Sequence, residues 1–310
     1  MIPSAQSTLA KAQGIELLHE YNHAQWQPQY ADQVIRQAAE LELLLIGSAT
    51  LPESFDGLMP EAFRSLLAGQ AETDLKELVR DLLTNQSFRR DVYTKGRDNL
   101  WNLDASEAIQ RLEVISLIEN EDLLHPDAFS FGLPFGEVQG NRVWFLGLME
   151  HLQLGPCRLG DLHRVPLHRD SATPLPELLQ NVALLLHKGS IALQPPARDP
   201  EPAQRFNRVI AAHVAAGAPY AAIALPRTGN LMALSDLELM LLHAWQQGSR
   251  GDALIEALGA NLQSLGRSIQ KEGQPMEGSE RQELLKADGS RFEARTLPLL
   301  QRLEAVTLAE

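Results

Sequence analysis

The grouping of apolar residues is what most restricts this chain: helix-length amphipathic runs alternate with apolar stretches only long enough for short strands. In Thr173–Lys188, the residues Leu175, Leu178, Leu179, Val182, Leu185 and Leu186 recur at the spacing of one helix face. Gly189 ends that run, and Ser190–Gln194 reads as a strand. The last third repeats the theme. Ser235 caps a helix carrying Leu237, Met240, Leu241 and Leu242, and after the turn Gln247-Gly248-Ser249 a second helix spans Arg250–Leu262. Helices joined to strands this short predict an α+β fold. Two helices and then a strand, twice over, is the order of a winged-helix unit, and Pro195–Pro202, with four prolines, reads as the linker between the two.

These patterns divide the chain into a mainly helical domain over 1–100, a middle winged-helix-like domain over 101–198 and a C-terminal one over 199–310. In the first, helices are expected near 5–25, 30–41, 60–69 and 72–86, with a strand or buried turn at Leu43–Ile46. Leu75, Leu78, Val79, Leu82 and Leu83 read as a core-facing stripe, and Pro60 before Glu61 suits a helix start. The segment from Phe88 to Arg97 reads as an exposed strand. Farther on, Leu112–Ile118 reads as a strand, Glu119-Asn120-Glu121-Asp122 as a solvated turn, and Phe135–Leu146 as a hairpin with Gln139-Gly140-Asn141 at its tip.

Charge narrows the function. Lys and Arg number 27 against 40 Asp and Glu, for a net charge of −13. By thirds the counts are 9 against 14 in residues 1–100, 7 against 13 in 101–200 and 11 against 13 in 201–310. No third is basic, which opposes nucleic-acid binding. The helix in Thr173–Lys188, placed as a recognition helix would be, offers Gln180, Asn181 and Lys188 against six large apolar residues, and so suits a core or a protein interface. A winged-helix DNA-binding regulator is therefore a minor alternative. Cys157 is the only cysteine; it excludes a disulfide framework and reads as an apolar filler. Met1–Gly14 lacks the pattern of a signal peptide, and no run approaches the ~20 apolar residues of a membrane span. The expected location is cytoplasmic, with no membrane partner.

His19-Glu20-Tyr21-Asn22-His23 matches the zinc-peptidase pattern H-E-x-x-H. On a helix the two imidazoles share a face and could hold one zinc, with Glu20 as base. A third ligand is harder to find. Trp26 and Gln29 occupy the positions where one peptidase class continues its ligand pattern. Glu40 is a later candidate, but Pro28 closes the first helix by about Gln27. The simpler reading is a solvated face with Glu16, His19, Glu20 and His23 in contact. A zinc-dependent hydrolase stays an alternative, and no catalytic, cofactor-binding or metal residue is assigned.

The longer string around that pentapeptide resembles a known family. Leu18-His19-Glu20-Tyr21-Asn22, Trp26, Pro28 and Tyr30-Ala31-Asp32 are similar to the opening of the methyltransferase regulatory domain. The similarity continues through Ile46-Gly47-Ser48-Ala49 and is sharpest over Asp81–Asp91, ending at Gly96. Looser matches to the tail of the same bacterial S-adenosylmethionine-dependent methyltransferases, which are similar to protein-lysine methyltransferases, fall at Arg205–Arg208, Ala224–Gly229 and Leu234–Gly248. The resemblance implies dimerisation and winged-helix-like domains that follow a Rossmann-type methyl-donor domain. That donor domain needs a strand, a glycine-rich turn and a helix N-terminus. Here the first glycine is Gly14, no acidic-Gly-x-Gly turn follows a predicted strand, and Gly132, Gly136 and Gly140 have the wrong spacing. The expectation is a chain that begins where the family's tail begins and binds no cofactor itself.

The resemblance thus implies a non-catalytic regulatory, dimerisation or substrate-recognition module. Its expected partners are a methyltransferase catalytic domain in cis or in trans, a second copy of itself and a protein substrate. Arg89, Arg90, Lys95 and Arg97 are the candidate docking patch; the alternative for Arg89 and Arg90 is local pairing with Asp91 and Asp81. Tyr21, Trp26 and Tyr30 are candidate interface anchors, or else buried residues of the helical domain.

Overall fold

The computed structural model describes residues 27–96, 102–165, 172–271, 274–276 and 278–307. The chain divides into two compact units, residues 1–99 with Leu133–Gly136, and residues 100–132 with 137–310. Both mix helices with small sheets, so the fold is α+β.

In the first unit, α1 (Ala31–Glu40) leads into β1 (Leu43–Ser48), followed by α2 (Glu61–Ala68), α3 (Thr73–Thr84) and β2 (Asp91–Lys95), which pairs antiparallel with β1. Asn85 ends α3 in the left-handed conformation (φ 51°), which its short side chain tolerates. The apolar core is thin. Ala31, Ile35, Pro52, Met59, Leu67 and Leu133 are the buried apolar residues among those described in this unit. The stripe on α3 faces inward only in part: Leu78, Val79 and Leu83 are half-buried, Leu75 and Leu82 are exposed, and the buried residue of this helix is Arg80. Arg80 lies between carboxylates and Met59, so ion pairing joins apolar packing on the inward face.

The second unit opens with α4 (Asn102–Gln110) and β3 (Glu113–Ser116). It continues through α5 (Asn120–Leu124), β4 (Ser130–Leu133), β5 (Gly136–Gln139), α6 (Arg142–Gln153), β6 (Cys157–Arg158), α7 (Leu159–Arg164), α8 (Leu175–Lys188) and β7 (Ile191–Gln194). β3 lies between β6 and β7, antiparallel to both. Two local expectations are corrected here. Glu119–Asp122 enters a short helix, in which the Asp122 carboxylate accepts from the Glu119 N–H (3.0 Å). The hairpin turns at Pro134-Phe135, not at Gly140. Asn141 instead caps α6 by accepting from the Trp144 N–H (3.3 Å), and a Cβ at Gly140 would lie 2.5 Å from the Phe145 ring. Close packing, not turn geometry, accounts for that glycine.

The irregular stretch between α5 and β4 has no strand partner for its carbonyls. Two cations supply the donors: Arg142 donates to the Leu123, Leu124 and His125 carbonyls, and Lys188 to those of Asp127, Ala128 and Ser130. Burial pushes the Lys188 ammonium below its usual range.

The remainder comprises α9 (Glu201–Ala215), the hairpin β8 (Ala222–Leu225) and β9 (Asn230–Ala233), α10 (Asp236–Gln246), α11 (Asp252–Ser264), a two-residue ladder β10 (Gln270–Lys271) and β11 (Gln274–Pro275), α12 (Gly278–Arg291) and α13 (Leu297–Arg302). Ser235 caps α10 with Glu238 in a reciprocal box. Ile115 and Ala192 of the three-stranded sheet share one buried cluster with Ile210, Leu241, Leu258 and Leu300. At its edge Asn207, fully buried, donates to the Ala224 (2.8 Å) and Ala305 (2.9 Å) carbonyls and accepts from the Ala224 N–H (2.7 Å). It ties α9 to β8 and to the C-terminal stretch. Asn207→Leu, which strands three buried backbone groups, is expected to destabilise the protein by about 2–4 kcal/mol, read as a lowered urea midpoint.

Candidate functional site

The polar features of the first unit converge on α3. Its inward face carries an alternating chain of charge. Lys76 reaches Asp56 (2.8 Å), Asp56 reaches Arg80 (2.8 Å), and Arg80 reaches Glu77 (3.3 Å). Glu77 in turn pairs with Arg89 (2.8 Å), which also holds Asp81 (2.7 Å) and Asp91 (2.9 Å). Arg89 can do this because a guanidinium offers five donors in a planar fork, which a lysine lacks. Three cations thus face four carboxylates.

That surplus shows in the titration of the acids. Burial, with the crowding of Glu77 and Asp91, holds Asp81 above the usual carboxylate range despite Arg89. Asp56 experiences an upward push from burial too, but hydrogen bonds from Lys76 and Arg80 outweigh it and hold its carboxyl low. The carboxylates around Arg89 raise its own pKa even though burial opposes that.

Beside this chain lies a groove of about 590 Å³. Pro28, Tyr30, Val34 and Leu82 supply its apolar lining, and Asp81, Arg89, Asp91 and Tyr93 its polar wall. Tyr30 is 63% exposed, Leu82 66% and nearby Phe88 63%. The groove thus sets uncovered apolar side chains beside a charged wall.

The sequence-derived candidates distribute as follows. Arg89 sits among its three carboxylates, leaving little of its charge for a partner. Arg90 is exposed and donates to the Thr50 hydroxyl (3.0 Å). Lys95 is exposed on β2. Tyr30 stands before α1, its N–H donating to the Gln33 side-chain oxygen (3.2 Å). Tyr21, Trp26, Arg97, and His19, Glu20 and His23 of the zinc pattern lie outside the described residues. Among the described residues no three His, Cys, Asp or Glu side chains gather as a metal site, and no helix is long and apolar enough to cross a membrane. In the second unit Cys157 Sγ is 3.6 Å from His151 Nε2, and burial pushes its thiol up, away from the reactive thiolate.

Sequence reasoning missed Glu77 and Arg80, the links that make the charge chain continuous, and the exposure of Leu82. The available signal was the charged pair Arg80-Asp81 set between Val79 and Leu82, with Glu77 three residues before Arg80.

The two acids give opposite pH signatures. Asp81, whose folded value is raised, stabilises below its ordinary value and loses that contribution as pH rises through the raised value; Asp56, whose folded value is depressed, stabilises above its ordinary value and loses it as pH falls. Asp81→Asn is therefore expected to cost nothing at neutral pH or to stabilise. Asp56→Asn is expected to cost about 1 kcal/mol at neutral pH, a cost that fades in acid. Thermal unfolding of both variants across pH 3 to 7 checks the contrast.

Residues 16–95 match the model of a family described as a predicted methyltransferase regulatory domain. An uncharacterised protein of Synechocystis sp., sll1526, is 28% identical over 298 residues, which cover 93% of this chain and 56% of that protein. Two structures of PKMT2 from Rickettsia typhi resemble the fold. The one in complex with AdoHcy has a TM-score of 0.56 at 16% identity over 97% of this chain and 63% of its own; the other has 0.55 at 14% over 98% and 64%. The chain thus spans less than two thirds of the length of each.

Proposed function

We propose, from the match of residues 16–95 to the methyltransferase regulatory domain family, that this chain is a non-catalytic module serving an S-adenosylmethionine-dependent methyltransferase. The catalytic domain, in cis or in trans, docks on the Tyr30–Val34–Leu82 groove of the first unit. The observation that carries the reading is the coincidence of family and surface: the segment that matches the family presents exposed apolar residues over a thin core. The longer relatives, with a large share of their length beyond the matched part, support a partner domain.

Sheet architecture supports assigning the chemistry elsewhere. An adenosyl cradle is built on parallel strands with a glycine-rich turn into a helix. The largest sheet among the described residues is three-stranded and antiparallel. The middle segment fits a winged-helix arrangement, with β6, α7, α8 and β7 in order and β3 between the two strands. Its α8 buries Leu178, Val182, Leu184 and Leu185, so it acts as a packing helix and not as a DNA reader.

Calorimetry with S-adenosylmethionine is expected to give no saturable heat; a micromolar isotherm would overturn the proposal. A methyltransferase catalytic domain from a longer relative is expected to bind the chain saturably. Leu82→Glu, at a site already exposed, should weaken that complex by about tenfold or more. If sedimentation instead finds a dimer of this chain that Leu82→Glu dissociates, the groove serves self-association.

A further inference from the structure

In the second unit, α9, the turn between α10 and α11, and Val306-Thr307 enclose a pocket of about 200 Å³. Its lining is rich in donors. Arg208 stands on α9, exposed and without a partner among the described residues. Arg250 lies over the Trp245 ring, 4.6 Å from its centroid. Its Nη1 donates to the Trp245 (2.6 Å) and Ser249 (2.7 Å) carbonyls, which fixes the guanidinium and leaves its other N–H groups unengaged. Trp245 is only 6% exposed, so the ring that carries the Arg250 guanidinium is itself held firmly.

What the pocket lacks is equally informative. The chain is acid-rich, and eleven described arginines are paired with a described carboxylate. No Asp or Glu lines this pocket, so Arg208 and Arg250 face it without a counter-charge. Gln204 is engaged elsewhere, donating to the Glu304 carbonyl (3.0 Å).

We propose that this pocket binds a small oxyanion, a phosphate or a carboxylate group, gripped by the guanidiniums of Arg208 and Arg250. The planar forks match the paired oxygens of either group. The volume admits the head group and not a whole nucleotide. Arg250, already oriented by its ring contact and its two carbonyls, loses little freedom on binding.

The test uses the full chain at low ionic strength, titrated with inorganic phosphate and separately with a glutamate-rich peptide, followed by calorimetry and tryptophan fluorescence. Saturable binding that perturbs the fluorescence is expected with at least one probe, weakening as salt is added. Arg208→Gln should weaken it by about tenfold or more, with the circular dichroism unchanged because Arg208 has no partner to lose. Arg64→Gln, at an exposed arginine of the first unit, should bind as the parent does. Saturation by phosphate alone assigns a phosphate ligand; saturation by the peptide, competed by phosphate, assigns an acidic protein segment. Absence of saturable binding with both probes, or equal affinity in Arg208→Gln, overturns the proposal.

Discussion

Excess negative charge is the constraint that organises this protein. With 40 acidic side chains against 27 Lys and Arg, eleven described guanidiniums go where carboxylates would otherwise stand unpaired. In the first unit Arg80 and Arg89 bridge Asp56, Glu77, Asp81 and Asp91 into one chain. In the second, Arg295 meets Asp122, Arg302 meets Glu119 and Arg227 meets Glu304. Such pairs add little net stability over apolar packing, but removing one partner leaves a poorly solvated charge behind. They therefore specify which surfaces meet more than they hold the fold together.

The two units solve the problem of cohesion differently. The second has an extensive apolar cluster that reaches from Ile115 to Val306, sealed by the buried amide of Asn207. The first buries few apolar residues among those described and leaves Tyr30, Leu82 and Phe88 open to solvent. A unit built that way gains from being covered, and this is the physical basis for reading it as a docking element. Exposed apolar area removed from water supplies roughly 25 cal/mol per Å² to association, and charges beside an apolar surface in general govern selectivity more than affinity.

Much of the architecture was legible in the residues. The helix from Leu175 to Lys188, its glycine stop and the strand after it lie where period and punctuation place them, and so does the Ser235 cap. The family resemblance over the first hundred residues was legible as well, because it rests on letters and not on contacts. The hairpin before α6 was misplaced because Gly140 and Asn141 look like a turn. Their actual roles, room for the Phe145 ring and a cap for Trp144, depend on residues that only the fold brings near. The α3 stripe was misread in part for a related reason. Periodicity reports which residues share a face, but it cannot say that Arg80 on another face will find carboxylates at Asp56 and Glu77 and turn inward.

By itself, then, the amino-acid sequence determined the order of helices and short strands, the acidic balance and the likeness of residues 16–95 to a regulatory-domain family, since each depends on local composition or on spacing along the chain. Tertiary structure decided which charges neutralise one another, which apolar residues stay uncovered on α1 and α3, and where Arg208, Arg250 and Trp245 assemble into a donor-lined pocket. Those outcomes arise from contacts between residues as far apart as Asp122 and Arg295, and Coulomb forces and burial act on distance in space, which spacing along the chain does not encode.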